Sequence, residues 1–318
     1  MVGSGAVRVR PRRRVTLTMT VLALTAALAS SVGWCPGARA ADPQPAAAER
    51  PLARPDPAGP PAVPVPGAVP PAPALDPAAG LAVLSAAREA AARVGGTVQV
   101  AVRGPSGAEV LTGPDAGSPA LTASLVKLLV VQQLFARDAA GALQLSPGDL
   151  DRMRRAVVSS DDGAMSVLWD RFDGEALVLA AAAEFGLSGS APPARAGQWG
   201  EAVTTATDTA LFLSALPDHL PADDLATLTG WMGSAAPIAT DGFDQRYGLL
   251  APEVTASTAV AVKQGWMCCI DARRQLHSAG VLADGRVVVL LGDFPTSTSW
   301  TRARAALDAA AASVVAGT

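Results

Sequence analysis

Between Gly96 and Gly104, Val98, Val100 and Val102 recur at every second position, the period of a half-buried strand. Gly107 to Thr112 follows as its expected hairpin partner. Ahead of this pair, Leu81 to Arg93 has helical spacing. From about Leu121 to about Ala235 the apolar residues keep the helical period, interrupted by Gly- and Pro-containing loops. Strand patterns then return at Ser257–Trp266, Gln275–Leu282 and Arg286–Leu291. The last two are joined by Ala283-Asp284-Gly285, a tight turn. Trp300 to Val315 reads as an Ala-rich closing helix. This order predicts an α/β (α+β) fold. It has an antiparallel five-stranded sheet, flanking terminal helices, and a helical subdomain inserted over about 121–250.

Before residue 81 the pattern is of another kind. Val15–Trp34 is apolar, follows Arg12-Arg13-Arg14 and precedes Ala38-Arg39-Ala40. Basic head, apolar middle and small residues two apart read as a signal peptide over 1–40, cut after Ala40. Its alternative is an uncleaved membrane anchor. A lipid anchor on Cys35 fits less well, because bulky Trp34 precedes the cysteine. Residues 41–80 hold 13 of the 26 prolines. Without N–H groups and with φ fixed, they predict an extended Pro/Ala-rich linker, not helices or ladders. The folded domain is expected over 81–318, secreted or otherwise extracytoplasmic.

Charge narrows the function classes. The first 40 residues carry six Arg and no acid, leaving 19 basic against 28 acidic residues in the remainder. A net −9 disfavours nucleic acid as a partner. The three cysteines cannot build a disulfide framework. Adjacent Cys268 and Cys269 either bond to each other or stay reduced.

The chemistry-bearing signal is a pair of lysines. The chain has 23 Arg but only Lys127 and Lys263. Arg replaces Lys on a solvated surface but not where the side chain must lose its proton. Lys127 ends Ser124-Leu125-Val126-Lys127 at the start of an apolar helix, where positions i and i+3 share a face. Serine is a weak nucleophile, and a neighbouring lysine of lowered pKa supplies the base it needs. Lys263 ends a hydrophobic strand in Lys263-Gln264-Gly265-Trp266. Between the two lies Ser160-Asp161-Asp162-Gly163-Ala164.

In this order and context the three segments resemble the Ser-x-x-Lys, Ser-Asp-Asn and Lys-Thr-Gly set of class A β-lactamases and penicillin-binding proteins. Thr204-Thr205-Ala206, opening a helix after a Pro-rich loop, adds to the likeness. The resemblance covers roughly residues 81–318 and is of an actinobacterial type. It implies that Ser124 is acylated, Lys127 accepts its proton, and Ser160 relays a proton to the leaving nitrogen. Lys263 would then set the electrostatics around Ser160 and a substrate carboxylate, and the N–H groups of Ser124 and Trp266 would form an oxyanion hole. Asp162, Gln264, Gly265 and Trp266 are the implied substrate-binding positions. No cofactor and no metal is implied.

Three departures bear on activity. Asp162 stands where the family has Asn, and an ionised carboxylate only accepts hydrogen bonds. Beside Lys127 it also favours the ammonium form. Gln264 replaces the hydroxyl residue of Lys-Thr-Gly. No Glu-x-x-Leu-Asn is present: between Leu187 and Thr204 the only acid is Glu201, and Ser166 replaces the Asn that braces that loop. Arg273 or Arg274 is a further candidate for binding a carboxylate. His277, among apolar neighbours, reads as structural.

The expected function is that of an exported serine hydrolase. It would act through an acyl-enzyme on amide or peptide substrates of the cell envelope, with weak or no turnover of β-lactams. Expected partners are a cell-wall peptide or a β-lactam-like small molecule, with no membrane contact beyond an N-terminal anchor. The alternative is a non-catalytic domain of the same fold that binds an envelope ligand or protein.

Overall fold

The computed structural model describes residues 75–318. The expected signal peptide, and the expected linker up to residue 74, lie outside the described residues. Helix α1 (Pro77–Ala92) starts four residues inside the segment read as linker. Asp76 caps it by accepting from the Ala79 N–H at 3.3 Å, and Pro77 takes the first turn, where its missing N–H costs nothing.

Then come β1 (Thr97–Arg103), β2 (Glu109–Thr112), the short β3 (Ala120–Leu121) and α2 (Val126–Ala139). The helical block continues with α3 (Pro147–Val158), α4 (Asp162–Phe172) and α5 (Gly174–Phe185). Short β4 (Val203–Thr204) pairs with β3, and α6 (Ala206–His219), α7 (Ala222–Gly233) and α8 (Pro252–Thr255) follow. The chain ends with β5 (Val260–Ile270), β6 (Arg273–Leu282), β7 (Val287–Pro295) and α9 (Trp300–Gly317).

The main sheet has the order β2-β1-β7-β6-β5, antiparallel throughout. Successive side chains of a strand face opposite ways, so the sheet has two apolar faces. Val287, Val289 and Leu291 of β7 join the core of the helical block. Val288 and Leu290, with Val98, Val100 and Val102 of β1, pack under the terminal helices. Those helices meet the sheet and each other through small residues, including Ala87, Ala91, Ala303 and Ala310. The β6–β7 turn falls where the sequence placed it, with Gly285 at φ +84°.

Candidate active site

The site lies where the helical block meets β5, the edge strand of the sheet. Half of an edge strand's N–H groups point away from the sheet, here towards the cleft side. Ser124 occupies a single helical turn (Ala123–Leu125) immediately before α2. Ala123 ahead of it has φ +46°, and Ser160 has φ +50°. The left-handed conformation costs a residue with a Cβ roughly 1–2 kcal/mol. The fold therefore spends stability to set the backbone at both serines.

Beneath the cleft, Lys127, Ser160 and Lys263 converge. Lys127 Nζ donates to the Ser160 carbonyl (2.7 Å), to Ser160 Oγ (3.2 Å) and to Asp162 Oδ1 (2.7 Å). Lys263 Nζ donates to Ser160 Oγ and to the Gln264 carbonyl, both at 2.8 Å. The Ser160 hydroxyl thus bridges the two lysines of the chain. Ser124, Lys127, Ser160 and Lys263 are all buried. Burial lowers the Lys127 pKa, and the Asp162 carboxylate opposes this. Burial also drives Lys263 well below the usual lysine range, with Lys127 adding repulsion.

Helix α4 positions the acids. Asp161 caps it through the Ala164 N–H at 2.9 Å and is held by Arg155. Asp162 enters its first turn with a mostly exposed side chain.

Above this cluster is a cleft of about 330 Å³, lined among others by Ser124, Asp162, Ser166, Trp199, Glu201 and Trp266. The Trp199 ring lies 4.9 Å from Lys127 Nζ, and its indole N–H donates to Ser166 Oγ at 3.3 Å. It roofs the lysine. Trp266 forms the other wall, stacked on Phe243 at 4.7 Å, with its indole N–H donating to Asp241 at 2.9 Å.

Some expected site residues are placed elsewhere. Gln264 is not in the cleft: its side-chain amide donates to the carbonyls of Gln245 (3.0 Å) and Tyr247 (2.5 Å). It lies buried under the Gln245–Tyr247 segment and ties that segment to β5. Gly265 does not line the cleft either. Its role is clearance: a Cβ there would come within 3.3 Å of the Thr122 carbonyl, on the segment leading to Ser124.

Arg273 pairs with Asp293, while Arg274 donates to the Thr298 carbonyl and packs on Trp300, so neither turns a guanidinium into the cleft. Glu201 lines the cleft but is paired with Arg195. Cys268 and Cys269 are bonded to each other.

Two residues hold the site from behind. His277 is fully buried and donates from Nε2 to the Leu121 carbonyl at 2.8 Å, fixing β3 to β6. Its burial lowers the pKa from 6.5 to about 4. Tyr247, the chain's single tyrosine, reaches the carbonyls of Gly265 (3.1 Å) and His277 (3.2 Å). Sequence reasoning missed Tyr247 and the roofing role of Trp199. Their scarcity was the only signal available, with one Tyr and six Trp in the chain.

No family model matches the sequence. Curated relatives from Mycobacterium bovis and Mycobacterium tuberculosis, each named "Putative lipoprotein LppW", are 33% identical over 208 residues. The match covers 64% of this chain and 65% of theirs, so it spans less than two thirds of those relatives' length.

Solved structures share the fold. A β-lactamase from Chitinophaga pinensis superposes with a TM-score of 0.61 at 15% identity, over 73% of this chain and 98% of that one. PBP-A gives 0.58 at 16% identity, over 73% and 94%. A β-lactamase from Burkholderia vietnamiensis gives 0.59 at 21% identity, over 74% and 96%. The chain has the β-lactamase/transpeptidase fold. Among the described residues no helix is long and apolar enough to cross a membrane.

Proposed function

We propose that this protein is an exported serine hydrolase that forms an acyl-enzyme on Ser124 with amide or peptide substrates of the cell envelope, and that it turns over β-lactams slowly or not at all. The observation that carries this reading is the Ser160 hydroxyl held between Lys127 and Lys263 directly beneath a cleft that Ser124 lines. In the proposed reaction Ser124 Oγ bonds to the substrate carbonyl carbon, and its proton passes to the free amine of Lys127. The C–N bond then breaks as Ser160 delivers a proton to the leaving nitrogen, the proton returning from Lys127. With both lysines donating to Ser160 Oγ, its own proton is what that hydroxyl has to offer. The N–H groups of Ser124 and Trp266 would face the developing oxyanion, usually a large contribution in acyl transfer.

Hydrolysis of the ester needs an activated water. The one carboxylate of the Arg195–Glu201 loop is engaged by Arg195, and Trp199 roofs Lys127. General-base assistance contributes about 10²–10⁴-fold, so its loss slows deacylation far more than acylation. The name of the mycobacterial relatives supports a place in the cell envelope.

A second reading, a non-catalytic domain binding an envelope ligand or protein, is favoured by one observation: Asp162 holds the Lys127 ammonium at 2.7 Å. Intact-mass measurement over hours after mixing with a penicillin and with activated amide donors separates the two. The proposal expects a long-lived adduct that Ser124→Ala abolishes. No adduct with any donor would establish the binding reading, and fast turnover without an adduct would reveal a deacylating base.

A further inference from the structure

The charges around the cleft are arranged asymmetrically. The ionisable side chains that line it are Asp162 and Glu201, both acids. The two lysines that approach it are 0% and 1% exposed and lie beneath its floor. The arginines considered for the site are engaged: Arg155 with Asp151 and Asp161, Arg195 with Glu201, Arg273 with Asp293, and Arg274 with the Thr298 carbonyl and Trp300. A third carboxylate, Asp241, lies at the indole N–H of Trp266. Asp162 is the most available of the three. Its side chain is 64% exposed, Oδ1 takes Lys127, and Oδ2 has no hydrogen-bond partner among the described residues.

The walls add to this. Trp199 and Trp266 both line the cleft, and indole faces attract cations. Met267 next to Trp266 is apolar, and Gln264, the position from which a hydroxyl would have reached a carboxylate, is turned into the core. A ligand ending in a free carboxylate would meet two acids, and the one exposed cation beside them, Arg195, is already held by Glu201. A ligand carrying an ammonium group would find a free carboxylate oxygen beside two indole side chains.

We infer that the cleft selects acyl donors that carry an ammonium group beside an apolar portion, and disfavours donors that end in a free carboxylate. The inference rests on the cleft being the substrate site, as proposed above, but not on Ser124 being reactive. The ammonium donates to Asp162 Oδ2 while its methylene stem lies against an indole. An extended peptide with an amino-bearing side chain and a blocked or amidated end is the chemical class that fits.

The test uses protein carrying Ser124→Ala, so that binding is read without acylation. Tryptophan fluorescence is titrated at low salt with four matched ligands: Nα-acetyl-lysyl-alanine amide, the same peptide as a free acid, and the Nε-acetylated form of each. The amide with a free ammonium should bind about tenfold tighter than its Nε-acetylated partner, the scale of a charge-assisted contact with cation–π support. Asp162→Asn or 0.5 M salt should remove most of that preference. The Nε-acetylated free acid should bind weakest of the four. Equal affinities, no binding by any of the four, or tightest binding by the Nε-acetylated free acid would overturn the inference. A charge preference in Ser124→Ala together with no adduct in the unaltered protein would sink the acylation reading and leave this one standing. An adduct without any charge preference would do the reverse.

Discussion

Asp162 Oδ1 lies 2.7 Å from Lys127 Nζ, a mostly exposed carboxylate reaching down to a lysine with no exposed surface. Burial favours the neutral amine and the carboxylate favours the ammonium, so these two residues pull the same proton in opposite senses. Asp162→Asn keeps the shape and removes the charge. It should lower the Lys127 pKa further and raise the free-amine fraction at neutral pH. The rate at which a serine-directed probe labels Ser124 should then rise several-fold at pH 7, and its pH profile should shift to lower pH. A slower variant with an unmoved profile would mean that Asp162 has a positioning role of its own.

Gln264 supplies a prediction about stability. Its amide serves the buried carbonyls of Gln245 and Tyr247. Gln264→Thr recreates the Lys-Thr-Gly of the proteins the motifs resemble but takes one donor from each carbonyl. Each carbonyl keeps one backbone donor, the Tyr247 N–H for Gln245 and the Leu250 N–H for Tyr247, so the cost is that of two lost hydrogen bonds, about 1–3 kcal/mol together. Denaturant titration should show a loss of about that size, with no gain in labelling of Ser124. A stable variant that labels faster would show that position 264 can face the cleft.

What was legible in the sequence follows the range of the interaction behind each feature. β1 was legible from its valines at every second position and the terminal helices from their helical spacing, while β6 and β7, buried on both faces, showed as short apolar runs joined by a Gly-containing turn. The lysines were legible because an Arg-rich chain kept only two, each inside a short motif. β5 runs on to Ile270, beyond the expected end at Trp266, because backbone pairing with β6 continues where exposed Cys268 and Cys269 give no apolar signal. Gln264 was misplaced because a motif fixes the residue's position and not the face it turns to. That face depends on carbonyls 17 and 19 residues away. The Trp199 roof over Lys127 joins positions on different elements, and no local pattern encodes it.

His277 sets a pH dependence of folding. The folded protein holds it neutral with a pKa of about 4, against 6.5 when unfolded. Above pH 6.5 both states are neutral and nothing is lost. As pH falls from 6.5 to 4 the unfolded chain takes a proton that the folded one refuses, so stability drops, by on the order of 3 kcal/mol. Asp308, raised to about 6 by burial, acts in the opposite sense over an overlapping range. Its contribution is common to wild type and variant and cancels in a comparison. His277→Gln can still donate to the Leu121 carbonyl but has no proton to gain. The unfolding free energy of wild type should therefore fall more steeply than that of the variant between pH 6.5 and 4. Parallel curves would mean that water reaches His277.

The last expectation concerns Glu201, the one acid in the loop where a deacylating base would stand. Arg195 engages its carboxylate, and the pair closes the loop from Arg195 to Glu201 on itself. A general base must present a free oxygen to water at the ester, and a carboxylate holding a guanidinium through both oxygens has little left for that task. Glu201→Gln should therefore leave the lifetime of the Ser124 adduct within about twofold of wild type, far below the ~10²-fold minimum typical of losing a working base. The loop must stay in place for the comparison to hold, so Trp199 fluorescence in the free protein serves as its monitor. With that signal unchanged, decay of the adduct is followed by intact mass in wild type, Glu201→Gln and Arg195→Gln. If Glu201→Gln prolongs the adduct a hundredfold, Glu201 is the base and the ion pair opens during the reaction. If Arg195→Gln alone shortens it, the arginine is what keeps the carboxylate from acting, and the slow second step is built into the Arg195–Glu201 pair.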